Sequence, residues 1–226
     1  AGEVVAFIDD DSVPEPTWLT YLAAGFAEPS VAAAGGFVRG RNGISFQSRA
    51  AMVDGTGQQT PLDLEPERIT LLSARPGRAI KTEGTNMAFR RSVLAEMGGF
   101  DPRYRFFLDE TDLNLRLAER GATTAVVPLA QVHHGFAESA RRRSDRAPRD
   151  LTEIGASWAV FLACHCPPER REEVWARVQA SERRRALRHM LAGRLEPRDV
   201  TRLLAGLRAG YAAGQGRPPA PLPVLP

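Results

Sequence analysis

The stretch VVAFIDDDSVPEPTWL, Val4 to Leu19, places three adjacent carboxylates directly after an apolar run. The run Val4–Ile8 is short, β-branched and aromatic, which predicts a buried strand that ends in a turn. Asp9, Asp10 and Asp11 follow at the point where this strand leaves the core. Three like charges repel one another, so either solvent or a bound cation has to compensate them.

A cation site is one of the two interpretations of this acidic segment. Successive side chains of an extended segment alternate, so Asp9 and Asp11 share a face while Asp10 points away. Two carboxylates on one face suit a hard divalent cation such as magnesium or manganese. The other interpretation is a solvated turn, and the segment alone leaves both open.

The composition indicates a globular chain with a sizeable core. Of the 226 residues, 43% are apolar and 25% are charged, and the formal net charge of +3 is mildly basic. Cys164 and Cys166 flank His165 without further ligands nearby, so we expect neither a zinc site nor a disulfide framework. No apolar run approaches the roughly 20 residues of a membrane span. A reducing, cytoplasmic location is the default expectation.

Arginine is unevenly distributed along the chain. One cluster lies between Arg141 and Arg149 and a second between Arg183 and Arg188, whereas Lys81 is the sole lysine. Such clusters are mostly solvated helix faces. The alternative is contact with phosphates or with the acidic inner face of a membrane, as a peripheral contact. We expect no nucleic-acid partner.

Hydrophobic periodicity predicts alternating strands and helices in the first part of the chain. A helix is expected after Pro16, and Val31–Val38 reads as a second buried strand. Poor periodicity between Arg39 and Arg78 predicts long loops with one short helix near Phe46–Met52. Residues 122–128 are expected to form a strand, and residues 130–136 a further short strand or an extended segment.

The segment FFLDETDLNLRLAERG has the strongest helix signature in the sequence. Asp109 stands at the N-cap position, and Asp112 three residues later fits a capping box. Gly121 supplies the stop. A shorter helix capped by Ser92 is expected to run through Met97.

Beyond Ser139 the sequence changes to Arg-rich helical periodicity. We expect three helices with Gly193 and Gly210 as stops, over Leu151–Ala163, Arg170–Leu191 and Pro197–Ala209. The predicted organisation is therefore an α/β domain over residues 1–138, a helical extension over 139–216 and a disordered Pro-rich tail over 217–226.

Five elements of the chain recur in one order: the strand followed by DDDS-P-P-WL, then GTNMAFRR, GGFDPRY, DETDLNLRL and the late P-A-VHH. Together they resemble family 2 glycosyltransferases of the GT-A fold, over roughly Ala1 to Phe136. The resemblance implies an α/β fold: a partial GT-A (nucleotide-diphospho-sugar transferase) fold that lacks its N-terminal strands, followed by α-helices.

The resemblance also implies a reaction. A family 2 enzyme performs an inverting transfer of a sugar from a nucleotide-diphosphate sugar donor to an acceptor hydroxyl, on a glycan, a lipid-linked molecule or another acceptor, with Mn²⁺ or Mg²⁺. The Gln-x-x-Arg-Trp element of processive sugar polymerases does not occur in the sequence, and neither do membrane helices. This favours transfer of a single sugar.

Site residues carry over from the family motif position by position. Asp9 to Asp11 match the DxD-type motif, in which Asp11 chelates the metal and Asp9 supports the metal or contacts the donor ribose. Asp10 is the middle residue of this donor-binding motif. His134 matches the position that completes the metal site, while alternation points His133 the other way.

The acidic pair that supplies the base in the family corresponds to DETD. The family usually has Glu-Asp at the pair, whereas this sequence has Asp109-Glu110. By position Glu110 takes the role of the base, and Asp109 is the alternative. In GTNMAFRR, the resemblance places Asn86 beside the donor sugar or the acceptor.

Two other functions fit parts of the sequence. In a phosphatase of the haloacid-dehalogenase type, Asp9 would be the nucleophile and Asp11 the acid/base. That mechanism needs a downstream lysine and an acidic motif at a strand end, but Lys81 is the sole lysine and the second acidic cluster begins a helix. The remaining alternative is a non-catalytic remnant or binding module, because most of the nucleotide-base pocket of the family precedes the DDD strand.

Overall fold

A computed structural model of the chain describes residues 2–218 and 221–222. These residues form two compact units. The sheet unit comprises residues 2–101, Glu110–Gly135 and residues 221–222, and the helical unit comprises Pro102–Asp109 and residues 136–218. The limits predicted from the sequence, 1–138 and 139–216, stay predictions.

Ten strands and three helices occupy the first part of the described chain. The strands are β1 (Val4–Ile8), β2 (Ser12–Pro14), β3 (Val31–Arg39), β4 (Phe46–Ser48), β5 (Ala51–Asp54), β6 (Gln59–Pro61), β7 (Thr70–Ser73), β8 (Arg78–Lys81), β9 (Asn86–Arg90) and β10 (Thr123–His134). The helices are α1 (Trp18–Ala24), α2 (Arg91–Glu96) and α3 (Asp109–Glu119).

A seven-stranded mixed sheet forms the centre of the sheet unit. Its order is β1-β9-β3-β10-β2, with β4 beside β3 and β7 beside β10. Strand β10 runs parallel to β3 and antiparallel to β2 and β7. A second, antiparallel sheet has the order β6-β5-β8. The predicted mixed α/β class is therefore confirmed.

Helices cover both faces of the central sheet. Ala33 and Ala34 are adjacent on β3 and belong to different apolar clusters. One cluster contains Leu22 of α1, and the other contains Leu113 and Leu117 of α3. Since adjacent strand residues point to opposite faces, the two clusters lie on opposite sides of the sheet.

The predicted burial of the first strand is wrong in part. Among the described strands, β1 pairs with β9 alone, so it is an edge strand. Its Phe7 packs edge-to-face against Phe89 and Phe100, while Ala6 and Ile8 are exposed. Val4 lies on the same face as Ala6 and Ile8 and packs against the apolar cluster that contains Leu22, so cover of this face is confined to the start of the strand.

The helix predicted near Phe46–Met52 is also wrong, because β4 and β5 occupy that segment. Strand β5 pairs with β6 and β8, and β8 is separated from β5 in the sequence by two other strands, β6 and β7. Such pairing is specified by distant partners, so a short window of sequence carries little periodic signal of it. The predicted Ser92 cap is wrong too: Arg90 precedes α2, and no side chain caps that helix.

One continuous strand, β10, replaces the two extended segments predicted there. Pro128 lies within it, and the pairing of β10 with β3 is irregular between Val127 and Val132. Proline has no N–H to donate and is tolerated at such irregularities. Gly121 has a positive φ of 64° and ends α3 as predicted.

The helical unit contains three long helices. They are α4 (Thr152–His165), α5 (Arg171–Leu191) and α6 (Pro197–Gln215), with a 3₁₀ turn at Pro168–Arg170. In the described residues after Leu151, every regular element is helical. None of the helices in the described part of the chain combines the length and the apolar character that a bilayer crossing requires.

Helix α6 continues to Gln215, so the prediction that Gly210 ends it is wrong. Gly210 instead lets α6 approach α4, because a Cβ at this position would lie 1.8 Å from the carbonyl oxygen of Thr152. A Cβ at Gly155 of α4 would lie 2.0 Å from the carbonyl oxygen of Leu207. The two helices therefore touch through their backbones.

The predicted Pro-rich tail, residues 217–226, lies mostly outside the described residues. The structure describes Arg217, Pro218 and residues 221–222 of it. Nη2 of Arg217 forms an ion pair with Oε2 of Glu153 at 2.9 Å. The prediction of disorder for the remainder concerns residues that the structure does not describe.

Candidate functional site

The end of β10 closes onto the acidic turn that follows β1. Strand β2 pairs with the end of β10, with Ser12 opposite His134. The amide of Gly135 donates a hydrogen bond to the carbonyl oxygen of Asp11 at 2.7 Å. A Cβ at Gly135 would lie 2.9 Å from the same oxygen. Glycine at this position permits the close approach of the two segments.

Asp9, Asp11 and His134 offer ligand atoms that all lie within 4.8 Å of one another. Nε2 of His134 is 3.2 Å from Oδ1 of Asp11. His134 is buried, Asp11 is half-buried and Asp9 is exposed. The structure thus brings together the three residues for which convergence is predicted, although their binding of a cation stays a prediction.

The donor set fits a hard divalent cation. Metal–ligand distances of about 2.1 Å place neighbouring ligand atoms of an octahedron about 3 Å apart and opposite ones about 4.2 Å apart. The observed limit of 4.8 Å is close to that range. Three protein ligands would leave the other coordination positions of such a cation open. Asp10 is exposed and is not in the group, so its predicted donor contact stays a prediction.

Two uncharged side chains orient these ligands. Oγ1 of Thr85 donates to Oδ2 of Asp9 at 2.9 Å, and Nδ1 of His134 is 2.9 Å from Oε1 of Gln47. When Nδ1–H donates to Gln47, Nε2 keeps its lone pair, the form in which an imidazole binds a metal. His133 points instead to the carboxylate of Glu15, as alternation predicts.

Glu110 is the second residue of α3 and lies beside the sole lysine, just before the buried run that starts at Thr111. Nζ of Lys81 is 3.3 Å from Oε1 of Glu110 and 2.8 Å from Oε2 of Glu83. Oγ1 of Thr111 donates to Oε1 of Glu110 at 2.9 Å. The side chains of Lys81 and Glu110 are only 5% and 15% exposed, so these contacts act where solvent screens charges weakly.

The pair favours the charged form of both partners. Burial raises the pKa of Glu110, but Lys81 and the hydrogen bond from Thr111 outweigh burial and bring the pKa below its ordinary value. Burial lowers the pKa of Lys81, but Glu110 and Glu83 outweigh it and bring the pKa above its ordinary value. Glu110 is therefore ionised at neutral pH.

The segment from Lys81 to Asn86 contacts both acidic groups. Lys81 pairs with Glu110, and a Cβ at Gly84 would lie 4.0 Å from the Cβ of Glu110. Thr85 bonds to Asp9. One short segment thus joins the cluster at the end of β1 to the start of α3. The sequence signals for it were the family segment GTNMAFRR and the single lysine.

Asn86 has a structural position. Its side chain has no exposed surface. Its Nδ2 donates to the carbonyl oxygens of Phe37 and Ala130, and its Oδ1 accepts from Nε1 of Trp18 at 2.8 Å. The amide has no further atom to offer a ligand, so the geometry gives no support to the predicted contact with donor or acceptor.

The other two carboxylates of DETD differ from Glu110 in their surroundings. Oδ2 of Asp112 accepts from Nε of Arg116 at 2.8 Å, and Arg116 also donates to the carbonyl oxygens of Met97 and Gly99. Asp112 therefore orients Arg116, and Arg116 joins α3 to the turn after α2. Asp109 is the first residue of α3, and it remains the alternative to Glu110 as the base.

A family model described as "Glycosyltransferase like family 2" matches residues 1–151. The chain belongs to this glycosyltransferase family. The predicted recognition is thereby confirmed, and the haloacid-dehalogenase alternative has no support.

Two relatives of this family 2 chain come from Mycobacterium tuberculosis. N-acetylglucosaminyl-diphospho-decaprenol L-rhamnosyltransferase is 39% identical over 80 residues, which cover 35% of this chain and 25% of the relative. Pre-mycofactocin glycosyltransferase is 29% identical over 137 residues, which cover 58% of this chain and 27% of the relative. The chain therefore spans about a quarter of the length of these curated relatives.

Among solved structures, GalNAc-T7 with UDP, GalNAc and Mn²⁺ aligns with this family 2 chain at a TM-score of 0.46. The sequence identity is 16%, and the alignment covers 72% of this chain and 31% of that chain.

Proposed function

We propose that this chain forms part of an inverting glycosyltransferase that moves a single sugar from a nucleotide-diphosphate sugar to an acceptor hydroxyl, with Mn²⁺ or Mg²⁺. The observation that carries the proposal is the convergence of Asp9, Asp11 and His134 in a chain of this family. The name of the rhamnosyltransferase relative includes a diphospho-decaprenol group, which favours a lipid-linked acceptor among the classes considered.

Asp11 and His134 hold the cation in this proposal, with Asp9 beside them. A divalent cation at this place supplies positive charge that neutralises the diphosphate leaving group. Thr85 orients the Asp9 carboxylate, and Gln47 keeps the proton of His134 on Nδ1. These two neutral side chains therefore set the direction of the ligand lone pairs.

Glu110 is the general base in this proposal. Its carboxylate takes the proton of the acceptor hydroxyl while the hydroxyl oxygen bonds to the anomeric carbon and the bond from that carbon to the diphosphate breaks. Because Lys81 lowers the pKa of Glu110, the resting carboxylate is ionised but weakly basic. An acceptor hydroxyl that displaces Nζ of Lys81 from Oε1 removes part of this effect and raises the pKa of Glu110 toward the working pH. A general base is most effective when its pKa lies near that pH.

The alternative function is a non-catalytic binding module, in which Glu110 has no catalytic role. The chain spans about a quarter of the length of its curated relatives, which is consistent with this alternative. A cytoplasmic location, with peripheral contact at the inner membrane face, likewise remains a prediction.

A titration with Mn²⁺, followed by electron paramagnetic resonance, tests the proposed cation site on the chain itself. Asp11→Asn and His134→Ala are each expected to weaken Mn²⁺ binding by at least about tenfold, since loss of an outer partner alone typically costs that much. Asp10→Asn is the matched control, because Asp10 lies outside the converging group. Equal Mn²⁺ affinities of the Asp10 and Asp11 variants would rule out the proposed ligand set.

A further inference from the structure

One cavity of the helical unit, about 350 Å³ in volume, is lined almost entirely by basic side chains. Its lining residues are Arg142, Arg146, Arg185, Arg188, His189 and Arg194. Two of them precede α4, three lie near the end of α5, and one follows α5. Basic side chains from three separate segments thus converge on one space.

A solvated helix end explains part of this cluster. Basic residues in the last turn of a helix interact favourably with the helix dipole, which accounts for Arg188 and His189. It does not account for Arg146, which comes from a different segment. Arg183 and Arg184 lie on the same helix, are exposed and do not line the cavity. The cavity is therefore lined by only some of the basic residues of α5, together with arginines from the segments before α4 and after α5.

The turn that carries two of the lining arginines is fixed against α5. The amide of Arg143 donates to the carbonyl oxygen of Ala147 at 2.9 Å. Nη1 of Arg143 donates to the carbonyl oxygen of Arg194 at 3.1 Å. Ala147 and Ala186 of α5 are fully buried in one apolar cluster. These contacts hold the three segments at a set separation.

Arg146 occupies a costly backbone conformation within this turn. Its φ of 68° lies in the left-handed region, which residues with a Cβ rarely adopt. Its guanidinium carbon lies 4.0 Å from the ring centroid of Phe136, a cation–π contact that sets the direction of the side chain. Strain of this kind clusters at ligand sites, where the surrounding structure holds it in place.

The positive charge of the cavity is poorly compensated. Oε2 of Glu182 forms an ion pair with Nη1 of Arg185 at 3.1 Å. In the part of the chain that the structure describes, no carboxylate lies within ion-pair distance of Arg146, Arg188 or Arg194. Burial, followed by repulsion from neighbouring arginines, lowers the pKa of Arg146.

His189 contributes an unused polar atom. Its Nδ1 is buried and has no hydrogen-bond partner among the described residues. Burial, followed by the charges of Arg185 and Arg194, lowers the pKa of His189, while Asp145 acts in the opposite direction. A buried ring nitrogen without a partner is uncommon, because leaving such a group unpaired costs free energy.

We propose that this cavity binds a phosphate group, as a phosphomonoester or a diphosphate. The forked N–H groups of guanidinium match phosphate oxygens, and an anion relieves the repulsion among the arginines. The volume of about 350 Å³ falls in the range of small-molecule sites, so a second phosphate or an attached group has room. The site shares no residue with the proposed metal site.

Isothermal titration calorimetry with pyrophosphate and with inorganic phosphate tests the site on the whole chain. EDTA in the buffer removes divalent cations, so the acidic group cannot recruit the anion through a metal. Arg188→Gln combined with Arg194→Gln removes two exposed charges without an ion pair and is expected to weaken binding by about tenfold or more. Arg183→Gln combined with Arg184→Gln removes the same charge from α5 outside the cavity and is expected to stay within about twofold of wild type.

Arg146→Gly provides a second variant for the case in which the double substitution unfolds the chain. Glycine adopts a positive φ freely, so the melting temperature is expected to hold while phosphate binding weakens. Thermal melting of each variant separates loss of the ligand from loss of the fold.

Sedimentation with vesicles identifies the source of the phosphate. Binding to phosphatidylcholine vesicles that contain phosphatidic acid, lost in the Arg188/Arg194 variant, indicates a lipid headgroup. Binding of pyrophosphate without binding to such vesicles indicates a soluble phosphate ligand. No saturable binding to either probe, equal losses in the two double variants, or binding confined to a DNA duplex would overturn the proposal.

Discussion

Lys81 of the sheet unit and Arg146 of the helical unit have opposite electrostatic surroundings. In the sheet unit, Lys81 lies between the carboxylates of Glu83 and Glu110, which raise its pKa and so favour its charged form. In the helical unit, Arg146 lies among other arginines. Burial and the charges of these arginines lower its pKa, so they disfavour its charged form. Paired charges support the fold that surrounds them, whereas unpaired like charges oppose it unless a ligand compensates them.

The two units also differ in how they pack. Around β1, contact is made by rings, and Phe7 and Phe100 meet edge-to-face with centroids 5.2 Å apart. Between α4 and α6, contact is made by backbone at Gly155 and Gly210. Side chains can shift to accommodate a change of volume, but backbone atoms of a helix have little freedom to do so.

The largest expected effect tests the paired charges of the sheet unit. In an enzyme that contains this chain, Glu110→Gln keeps the shape of the side chain but removes its proton acceptor. Sugar transfer is expected to fall about 100- to 10,000-fold, as for loss of a general base. Steady-state kinetics, with binding of the sugar nucleotide and thermal unfolding as controls, measure the effect.

Asp109→Asn is the matched variant that tests whether Asp109 or Glu110 is the general base. Asparagine caps a helix about as well as aspartate, so this variant is expected to keep most of the activity if Asp109 has only a structural role. An inactive Asp109→Asn beside an active Glu110→Gln would show that the roles are reversed. Two active variants would remove the acidic pair from the mechanism.

Lys81→Met is expected to invert the pH dependence that the pair contributes to stability. In the wild type, the pKa of Glu110 is lower in the folded chain than its ordinary value of 4.5. Glu110 therefore stabilises the fold above that value, and this contribution is lost as the pH falls through the folded pKa. Without Lys81, burial dominates and raises the folded pKa, so the contribution is present at low pH and is lost as the pH rises.

The measurement is the free energy of unfolding in urea at a series of pH values. The difference between wild type and Lys81→Met is expected to grow from about pH 4 to about pH 7 and to reach about 3 kcal/mol, the usual cost of removing one partner of a buried ion pair. Lys81→Arg keeps the charge and serves as the control. A difference that does not change with pH would mean that Lys81 does not set the pKa of Glu110.

The smallest of these effects concerns the backbone contact of the helical unit. Gly210→Ala places a methyl group 1.8 Å from the carbonyl oxygen of Thr152. The free energy of unfolding is expected to fall by about 2 kcal/mol, even though alanine has a helix propensity about 1 kcal/mol better than that of glycine.

Gly216→Ala is the control for that contact. A Cβ at Gly216 would lie 3.5 Å from the carbonyl oxygen of Ala213, which is an ordinary distance. Its effect is expected to stay within about 0.5 kcal/mol. Urea denaturation compares the two variants, and equal midpoints would argue that α4 and α6 do not depend on a glycine contact.

Much of the fold was predictable from local pattern. The apolar run at Val31–Val38 and the periodicity of α3 identified elements that the structure contains, because each signal lies within one segment. The segment between Arg39 and Arg78 was not predictable in this way. Its strands are short, and β5 pairs with β8. The local sequence of β5 does not specify which distant segment it pairs with.

The candidate site was predictable to a different extent. Alternation placed Asp9 and Asp11 on one face, but His134 joined them only through the resemblance to the family. Gln47 and Thr85 gave no sign of their contacts, since each bonds to a residue far along the chain. The contact expected for Asn86 stays a prediction, and nothing in its sequence segment indicated that its amide donates to two carbonyl oxygens inside the sheet.

The long sequence separation between Asp11 and His134 has a kinetic consequence. These residues become neighbours only after β10 has paired with β2, a contact of long sequence separation. Contacts of this kind have a high entropic cost of loop closure and are usually completed late in folding. A cation bound there would act on a nearly finished fold, so it would slow the unfolding rate while leaving the folding rate almost unchanged.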